Sequence, residues 1–343
     1  MKLGDVSSAY IDVMLKVMDE LGCDYKDILH KFSLTQEVLS SPDARTSIPR
    51  FMRLGHALIK RTQTPSFGLL MGKATSPTHL GYAGILALSA DNIMQACEQI
   101  TQYEPLSTYN VRGQSSFYLN DEDNGVLAFY SLAPYNDYNY FVVDSLLSSW
   151  YQIVQNLSAS ANVVEKVCFE FSPPNYLQEY QNYFGCEVLF NQTGNYLEIN
   201  KEALYFSNKS SCAATFELLK RQADASLEKM QLGLSLQEKV SQVIGPLLTK
   251  NQQDSSTPTL AQVAEQLNMA PWGLRRKLVA EGSSFQQTLN NTRRDLSISY
   301  IKDTALTLGE VSYLLGFSSP AAFQRAFKRW TGTAPGLFRK QGK

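Results

Sequence analysis

The most regular alternation of apolar and polar positions lies near the C-terminus. Leu308, Val311, Leu314 and Leu315 recur at helical spacing and predict a short helix with one apolar stripe. Gly316 follows where a helix end and a sharp turn need the left-handed backbone region. Ser318 or Ser319 then caps a second helix with Pro320 in its first turn. Along it Phe323, Phe327 and Trp330 face inward, while Ala321, Gln324, Arg325, Lys328 and Arg329 lie on or beside the outer face.

The same pattern occurs about fifty residues upstream. Leu260, Val263, Ala264 and Leu267 form the inward set of a first helix, Asn268 stands at the turn, and Leu274 and Leu278 face inward on a second helix. Trp272, Arg275, Arg276 and Val279 form its outer strip. Between the copies, residues 284 to 303 read as one longer helix capped by Ser283 or Ser284 and carrying Phe285, Leu289, Leu296, Ile298, Tyr300 and Ile301. A helix pair alone could be a structural hairpin with a solvated basic face. Two copies on a stiff strut, each offering Arg outward, make a pair of major-groove reading heads about 34 Å apart the sharper reading.

The rest of the chain alternates differently. Helical periodicity appears at residues 7 to 20, with Tyr10, Val13, Met14 and Val17 on one side, and again at about 25–31, 49–62, 93–103, 139–157 and 210–230. Strand-like runs fall at residues 107–112, 116–119, 126–132, 164–171, 187–190 and 196–199, and Asp121–Gly125 is a hairpin turn signal. The expected fold class is an α+β N-terminal domain followed by an all-α C-terminal domain with two helix-turn-helix motifs joined by a long helix. The expected divisions are 1–207 for the α+β domain, which the resemblance given below makes an effector-binding and dimerisation domain, 208–235 for a connecting helix and hinge, and 236–343 for the DNA-binding domain. Its motifs fall at about 259–280 and 307–331. Residues 251–258 (NQQDSSTP) form a polar break ahead of the first motif.

Charge sharpens this division. The formal net charge is −1, yet residues 236–343 hold 14 Lys/Arg against 7 Asp/Glu, or +7, which leaves 17 against 25, or −8, for residues 1–235. Basic residues concentrated beside the reading heads supply sequence-independent, salt-sensitive affinity for phosphates. The candidates are Lys277, Lys328, Arg329, Arg339 and Lys340; some of these can equally be solubilising charges.

The spacing Gly-Phe-Ser-Ser-x-x-x-Phe-x-Arg-x-Phe-Lys-Arg-x-x-Gly-x-x-Pro-x-x-Phe-Arg from Gly316 to Arg339 resembles the signature of the AraC/XylS family of transcriptional regulators. The upstream motif departs from that pattern at Ala270, where a serine is usual, and at Trp272, where an arginine is frequent. The resemblance maps base contacts to Trp272, Arg275 and Arg276 in the first reading helix and to Pro320, Ala321, Gln324 and Arg325 in the second. Pro320 and Ala321 carry no side-chain donor, so Gln324 and Arg325 are expected to dominate readout there.

The N-terminal runs LGYAGILALSADNIMQACEQITQYEPL at 80–106 and FGCEVLFNQTGNYLEINKEAL at 184–204 resemble the effector domain of the ornithine-utilisation regulators within the same family. That resemblance implies a small-molecule effector and a homodimer, with RNA polymerase as a further partner if the protein activates transcription. Residues 103–151 are rich in Tyr and Phe, and Arg112 is the one cation among the first strands. An aromatic cavity with an arginine suits an organic acid, amino acid or fatty acid. The candidate effector residues are His79, Tyr109, Arg112, Tyr130 and Tyr140; the same aromatics at strand spacing can instead be core, and Arg112 solvated. A regulator controlled by a protein partner, or by dimerisation alone, is the alternative.

Other function classes find no support in the sequence. There is no G-x-S-x-G elbow, P-loop or H-E-x-x-H, and the three histidines, His30, His56 and His79, match no metal spacing, so neither an enzyme nor a metal or cofactor site is expected. Five cysteines without a C-x-x-C, and none beside a histidine, exclude the methyl-accepting repair site found on a related DNA-binding fold and read mainly as small buried residues, with a redox switch as the alternative. No signal peptide or span of about 20 apolar residues is present, so a cytoplasmic location without a membrane partner is expected.

Overall fold

The computed structural model describes residues 4–41, 44–110, 113–131, 139–157, 163–250, 257–303 and 306–341. Strand β1 (Gly4–Ser7) leads into α1 (Ala9–Glu20), which buries Ile11, Val13, Met14, Val17 and Met18. This helix starts two residues later than the periodicity suggests because Ser7 still belongs to the strand, paired with Arg45. Then come α2 (Lys26–Lys31), α3 (Gln36–Ser40), β2 (Arg45–Ser47), α4 (Ile48–Thr62) and α5 (Phe67–Ala74). A 3-10 turn at Pro77–Leu80 precedes α6 (Tyr82–Ser89) and α7 (Ile93–Ser107), and α7 feeds directly into β3 (Thr108–Asn110). The pattern does not foreshadow α6, whose sequence YAGILALS is apolar nearly all round and so shows no stripe to read.

Strands β4 (Gly113–Leu119) and β5 (Gly125–Ser131) form the expected hairpin. Its turn is held by Asn120, whose Oδ1 accepts from the N–H groups of Glu122 and Asn124, both at 3.0 Å, with Asp123 in the left-handed region at φ 62°. Helix α8 (Tyr140–Leu157), β6 (Val164–Cys168), α9 (Leu177–Phe184), β7 (Glu187–Leu189) and β8 (Asn195–Ile199) complete this half, and a 3-10 turn (Ala203–Tyr205) leads to α10 (Ala213–Leu232). The strands make two sheets. One has the order β2-β1-β3, all antiparallel; the other has the order β4-β5-β8-β6-β7, in which only the β6–β7 pair is parallel.

Two apolar cores fill the N-terminal half, and α8 borders both. Its Phe141 joins α1, α4 and α5, whereas Val143, Leu147 and Trp150 join α6, α7 and the inward residues Leu127, Val167 and Leu197 of the larger sheet. Helices α5 and α8 pack unusually close because Gly68 and Gly72 face α8. A Cβ on either would collide with the Phe141 backbone or the Ser148 side chain. Helix α10 covers its own half of the molecule: Phe216 and Ala223 lie in the larger core, and the Tyr103 hydroxyl donates to Asp224 Oδ1 at 2.5 Å.

The remainder is helical: α11 (Leu236–Lys250), α12 (Leu260–Gln266), α13 (Pro271–Ala280), α14 (Phe285–Asp303), α15 (Leu308–Leu314), α16 (Pro320–Thr331) and α17 (Pro335–Gln341). They enclose a third core to which α11 gives Val240, Ile244 and Leu248 and α14 gives Leu289, Leu296, Tyr300 and Ile301. The two halves touch where α4 meets α14 and where Gln242 Nε2 donates to the Tyr109 hydroxyl. None of the described helices is long and apolar enough to cross a membrane.

Candidate DNA-reading interface

Both helix-turn-helix units are built by one local grammar. In the first, Thr259 Oγ1 accepts from Gln262 N–H at 3.3 Å while Gln262 Oε1 accepts from Thr259 N–H at 2.8 Å. In the second, Thr307 and Glu310 repeat this reciprocal box at 3.2 and 2.7 Å. The Thr307 bonds hold the Glu310 carboxyl below its ordinary pKa. Helices α12 and α15 then end alike. Met269 N–H bonds Ala264 C=O and Phe317 N–H bonds Ser312 C=O, around Asn268 at φ 50° and Gly316 at φ 65°.

The second helices start differently. Ser319 Oγ accepts from Ala322 N–H at 3.2 Å and caps α16, with Pro320 next. Ala270 occupies the capping position of α13 in extended backbone and offers no side-chain acceptor. The absent cap costs that helix about 1 kcal/mol.

On α13, Leu274 and Leu278 are buried, while Trp272 is 67% exposed beside exposed Arg275, Arg276 and Lys277. The Arg276 guanidinium lies over the Trp272 ring at 5.3 Å, which makes one flat cationic surface of two side chains. On α16, Phe323, Ala326 and Phe327 are buried, and Pro320, Ala321, Gln324, Arg325, Lys328 and Arg329 are all exposed. Lys340 on α17 is exposed as well, but Arg339 is half-buried and its Nε donates to Ile301 C=O at 3.3 Å, at the end of α14.

The two units are tied together by Arg293, a residue the outward-facing pattern does not single out. It lies on the inner stripe of α14 and is 93% removed from solvent, with 7% exposure. Its Nε donates to Leu315 C=O at 2.8 Å, and its Nη2 to Gly316 C=O at 3.0 Å and Thr257 Oγ1 at 3.2 Å. The guanidinium also stacks over Phe317 at 5.0 Å. Burial holds its pKa below the usual arginine value. One side chain thus satisfies the turn of the second unit and reaches the segment entering the first. Its sequence signal was positional: Leu289, Arg293 and Leu296 share one helix face.

The effector candidates fall in separate neighbourhoods. His79 is buried within the 3-10 turn, its Nδ1 accepting from Ser76 N–H at 2.8 Å and its Nε2 lying 2.8 Å from Lys16 Nζ. Burial and then Lys16 lower its pKa. Tyr109 bonds Gln242 of α11 at the junction of the two halves. Tyr130 is exposed on β5, and Tyr140 stacks on Phe171 at 4.3 Å, at the edge of a cluster containing Phe169, Tyr180 and Phe190. Arg112 lies outside the described residues, as do Tyr135 and Tyr138. Among the described aromatics of residues 103–151, Tyr103, Phe129, Phe141 and Trp150 are core, whereas Tyr118 and Tyr130 are exposed. The cluster encloses an acid the sequence reading passed over: Asp144, fully buried, accepts from the Tyr180 hydroxyl at 2.7 Å and the Tyr176 hydroxyl at 3.4 Å. Burial pushes its pKa up to about 8. Among the cysteines, Cys97 and Cys168 are buried and Cys212 is exposed.

Residues 22–205 match the arabinose-binding domain of AraC transcription regulators, and residues 263–341 match a helix-turn-helix domain. The chain is 28% identical to the ornithine utilization regulator of Pseudomonas aeruginosa over 98% of this chain and 96% of that protein. It is 26% identical to the transcriptional regulator VirS of Mycobacterium tuberculosis over 95% of this chain and 94% of that one. The crystal structure of the transcriptional regulator CdpR from Pseudomonas aeruginosa aligns over 96% of this chain and 98% of that one, at 19% identity and a TM-score of 0.47.

Proposed function

The chain belongs to the AraC family of transcription regulators, and on that premise we propose that it reads an asymmetric DNA site through α13 and α16 and that a small organic effector, bound by the N-terminal half, alters this binding. The carrying observation is the pair of exposed cationic helices, Trp272-Arg275-Arg276 and Gln324-Arg325, fixed to one scaffold by buried Arg293. Arginine can donate two bonds to guanine and glutamine can pair with adenine, so these two faces carry sequence-reading chemistry. The exposure of Lys277, Lys328, Arg329 and Lys340 around them supports phosphate contacts by these four, while the bond of Arg339 to Ile301 C=O favours a bracing role for it. Contacts through Tyr109 and α4 support communication between effector binding and DNA presentation, since a ligand shifts an equilibrium only if it favours one arrangement. Likeness to a regulator of ornithine utilization makes amino acids the first effector class to screen.

The test is binding of the purified full chain to DNA around its own gene, at two salt concentrations with random competitor. Specific binding that survives the higher salt supports the reading; salt-sensitive binding without sequence preference refutes it. Adding amino acids and organic acids to the same assay separates effector control from control by a protein partner or by dimerisation alone.

A further inference from the structure

A cleft of about 670 Å³ opens at the junction of the two halves, within the size range of small-molecule sites. It draws on four parts of the chain. Asp5 of β1 and Arg45 of β2 form one end; Leu106 and Tyr109, at the α7–β3 junction, form a wall; Met230 and Leu234 come from the end of α10 and the hinge; Glu238 comes from the first turn of α11.

The charges at this cleft are not equivalent. Arg45 is spent on structure: its Nε donates to Asp5 Oδ1 at 2.5 Å, its Nη1 to Leu106 C=O at 2.7 Å, and its Nη2 lies 3.4 Å from both Asp5 C=O and Ser107 C=O. An anionic ligand would have to break this anchor. Glu238 uses Oε2 to accept from Ser235 N–H at 2.9 Å and Ser235 Oγ at 3.1 Å, and its Oε1 makes no hydrogen bond among the described residues. Among the described residues, two carboxylates against one committed guanidinium leave the lining with a charge of −1. The apolar wall and the Tyr109 ring suit an aliphatic body, and an aromatic face also favours a cation.

We propose that this interdomain cleft is a binding site for an aliphatic organic cation, an amine or diamine whose ammonium group meets Glu238 and whose chain lies along Leu106, Tyr109, Met230 and Leu234. This deepens the effector reading above and rests on it, but differs from it in place and charge: the ligand sits between the halves rather than inside the N-terminal one. Because Glu238 belongs to the DNA-binding half and Leu106 and Tyr109 to the other, a ligand held by all three bridges the halves beside the Tyr109–Gln242 bond. It would thereby favour the docked arrangement over a separated one.

The experiment uses the full chain with hexylamine and 1,5-diaminopentane, against hexanoate as the anion of matched length, each read by thermal midpoint and by isothermal titration. Glu238→Gln is the decisive variant, because glutamine keeps the N3 acceptor of the helix cap while removing the charge. The expected result is stabilisation of the wild-type chain by the amines and not by hexanoate, with affinity weakened at least tenfold in Glu238→Gln. Amine binding unchanged in that variant, or hexanoate binding as well as the amines, would overturn the cleft assignment while leaving effector control standing. Absence of amine binding to a wild-type chain that still binds DNA specifically would overturn it too. The wider effector reading fails separately, if no compound of either charge in the amino acid and organic acid screen alters DNA binding.

Discussion

Arg293→Met should unfasten the DNA-reading half without emptying its core. Methionine retains the apolar stem against Phe317, so what is lost is the guanidinium and its bonds to Leu315 C=O, Gly316 C=O and Thr257 Oγ1. A hydrogen bond from a charged donor contributes about 1.5–3 kcal/mol, and a buried carbonyl left unpaired costs about 1–3 kcal/mol. Against this, the substitution relieves the desolvation of a buried cation, the same effect that lowers the Arg293 pKa. The two short carbonyl bonds outweigh that relief, and the net loss should be about 3 kcal/mol. For a domain of roughly 100 residues each kcal/mol moves the melting midpoint by about 4–8 °C, so the C-terminal transition should fall by about 12–24 °C. Differential scanning calorimetry of the full chain reads this directly, with the N-terminal transition as internal reference. A shift of less than about 2 °C would falsify the assignment of Arg293 as the brace of the second turn.

Three further outcomes are expected. Arg325→Ala should relax discrimination at one base position by about 1–3 kcal/mol, whereas Lys328→Ala should weaken specific and random DNA alike and reduce the salt slope by about one, as competition binding at several salt concentrations will show. Ala270→Ser supplies the acceptor that the start of α13 lacks and should stabilise the C-terminal half by about 1 kcal/mol, measured by urea midpoint; an unchanged midpoint counts against the capping argument. Asp144 holds its proton more tightly in the folded state, so the stability it contributes is complete below its ordinary value of 3.8 and is lost as pH rises toward about 8. Asp144→Asn should flatten that decline between pH 5 and 8 in thermal midpoints of the N-terminal transition, and an identical slope in both proteins would remove Asp144 as its cause.

The C-terminal half was legible because its rules are local. A Thr capping box, a left-handed Asn268 or Gly316 and a Pro at the next helix start are each written within a few residues, and the reading faces are whatever the apolar stripes leave outside. The N-terminal half was less legible because its elements are specified by what they meet. Helix α6 is buried on several sides and loses its periodicity, and β1 is defined by its pairing with β2 on one side and β3 on the other. The aromatic density at residues 103–151 suggested a ligand wall, yet Tyr103 is fully buried against α10 and Tyr140 is stacked on Phe171. Composition alone does not separate a lined pocket from a filled one.

Residue type is equally silent about which arginines face inward, and the structure shows what decides it. Arg293 and Arg325 are the same residue on helices of the same domain, but Arg293 has Leu289 and Leu296 on its own face whereas Arg325 stands on the face opposite Phe323 and Phe327. Helical phase, not residue type, sends one inward to hold a turn and the other outward to solvent. Helix α14, which carries Arg293, is also the helix that α4 of the N-terminal half touches. A displacement of α4 would therefore bear on α14, and through Arg293 on the turn of the second helix-turn-helix unit and on Thr257 at the entry to the first.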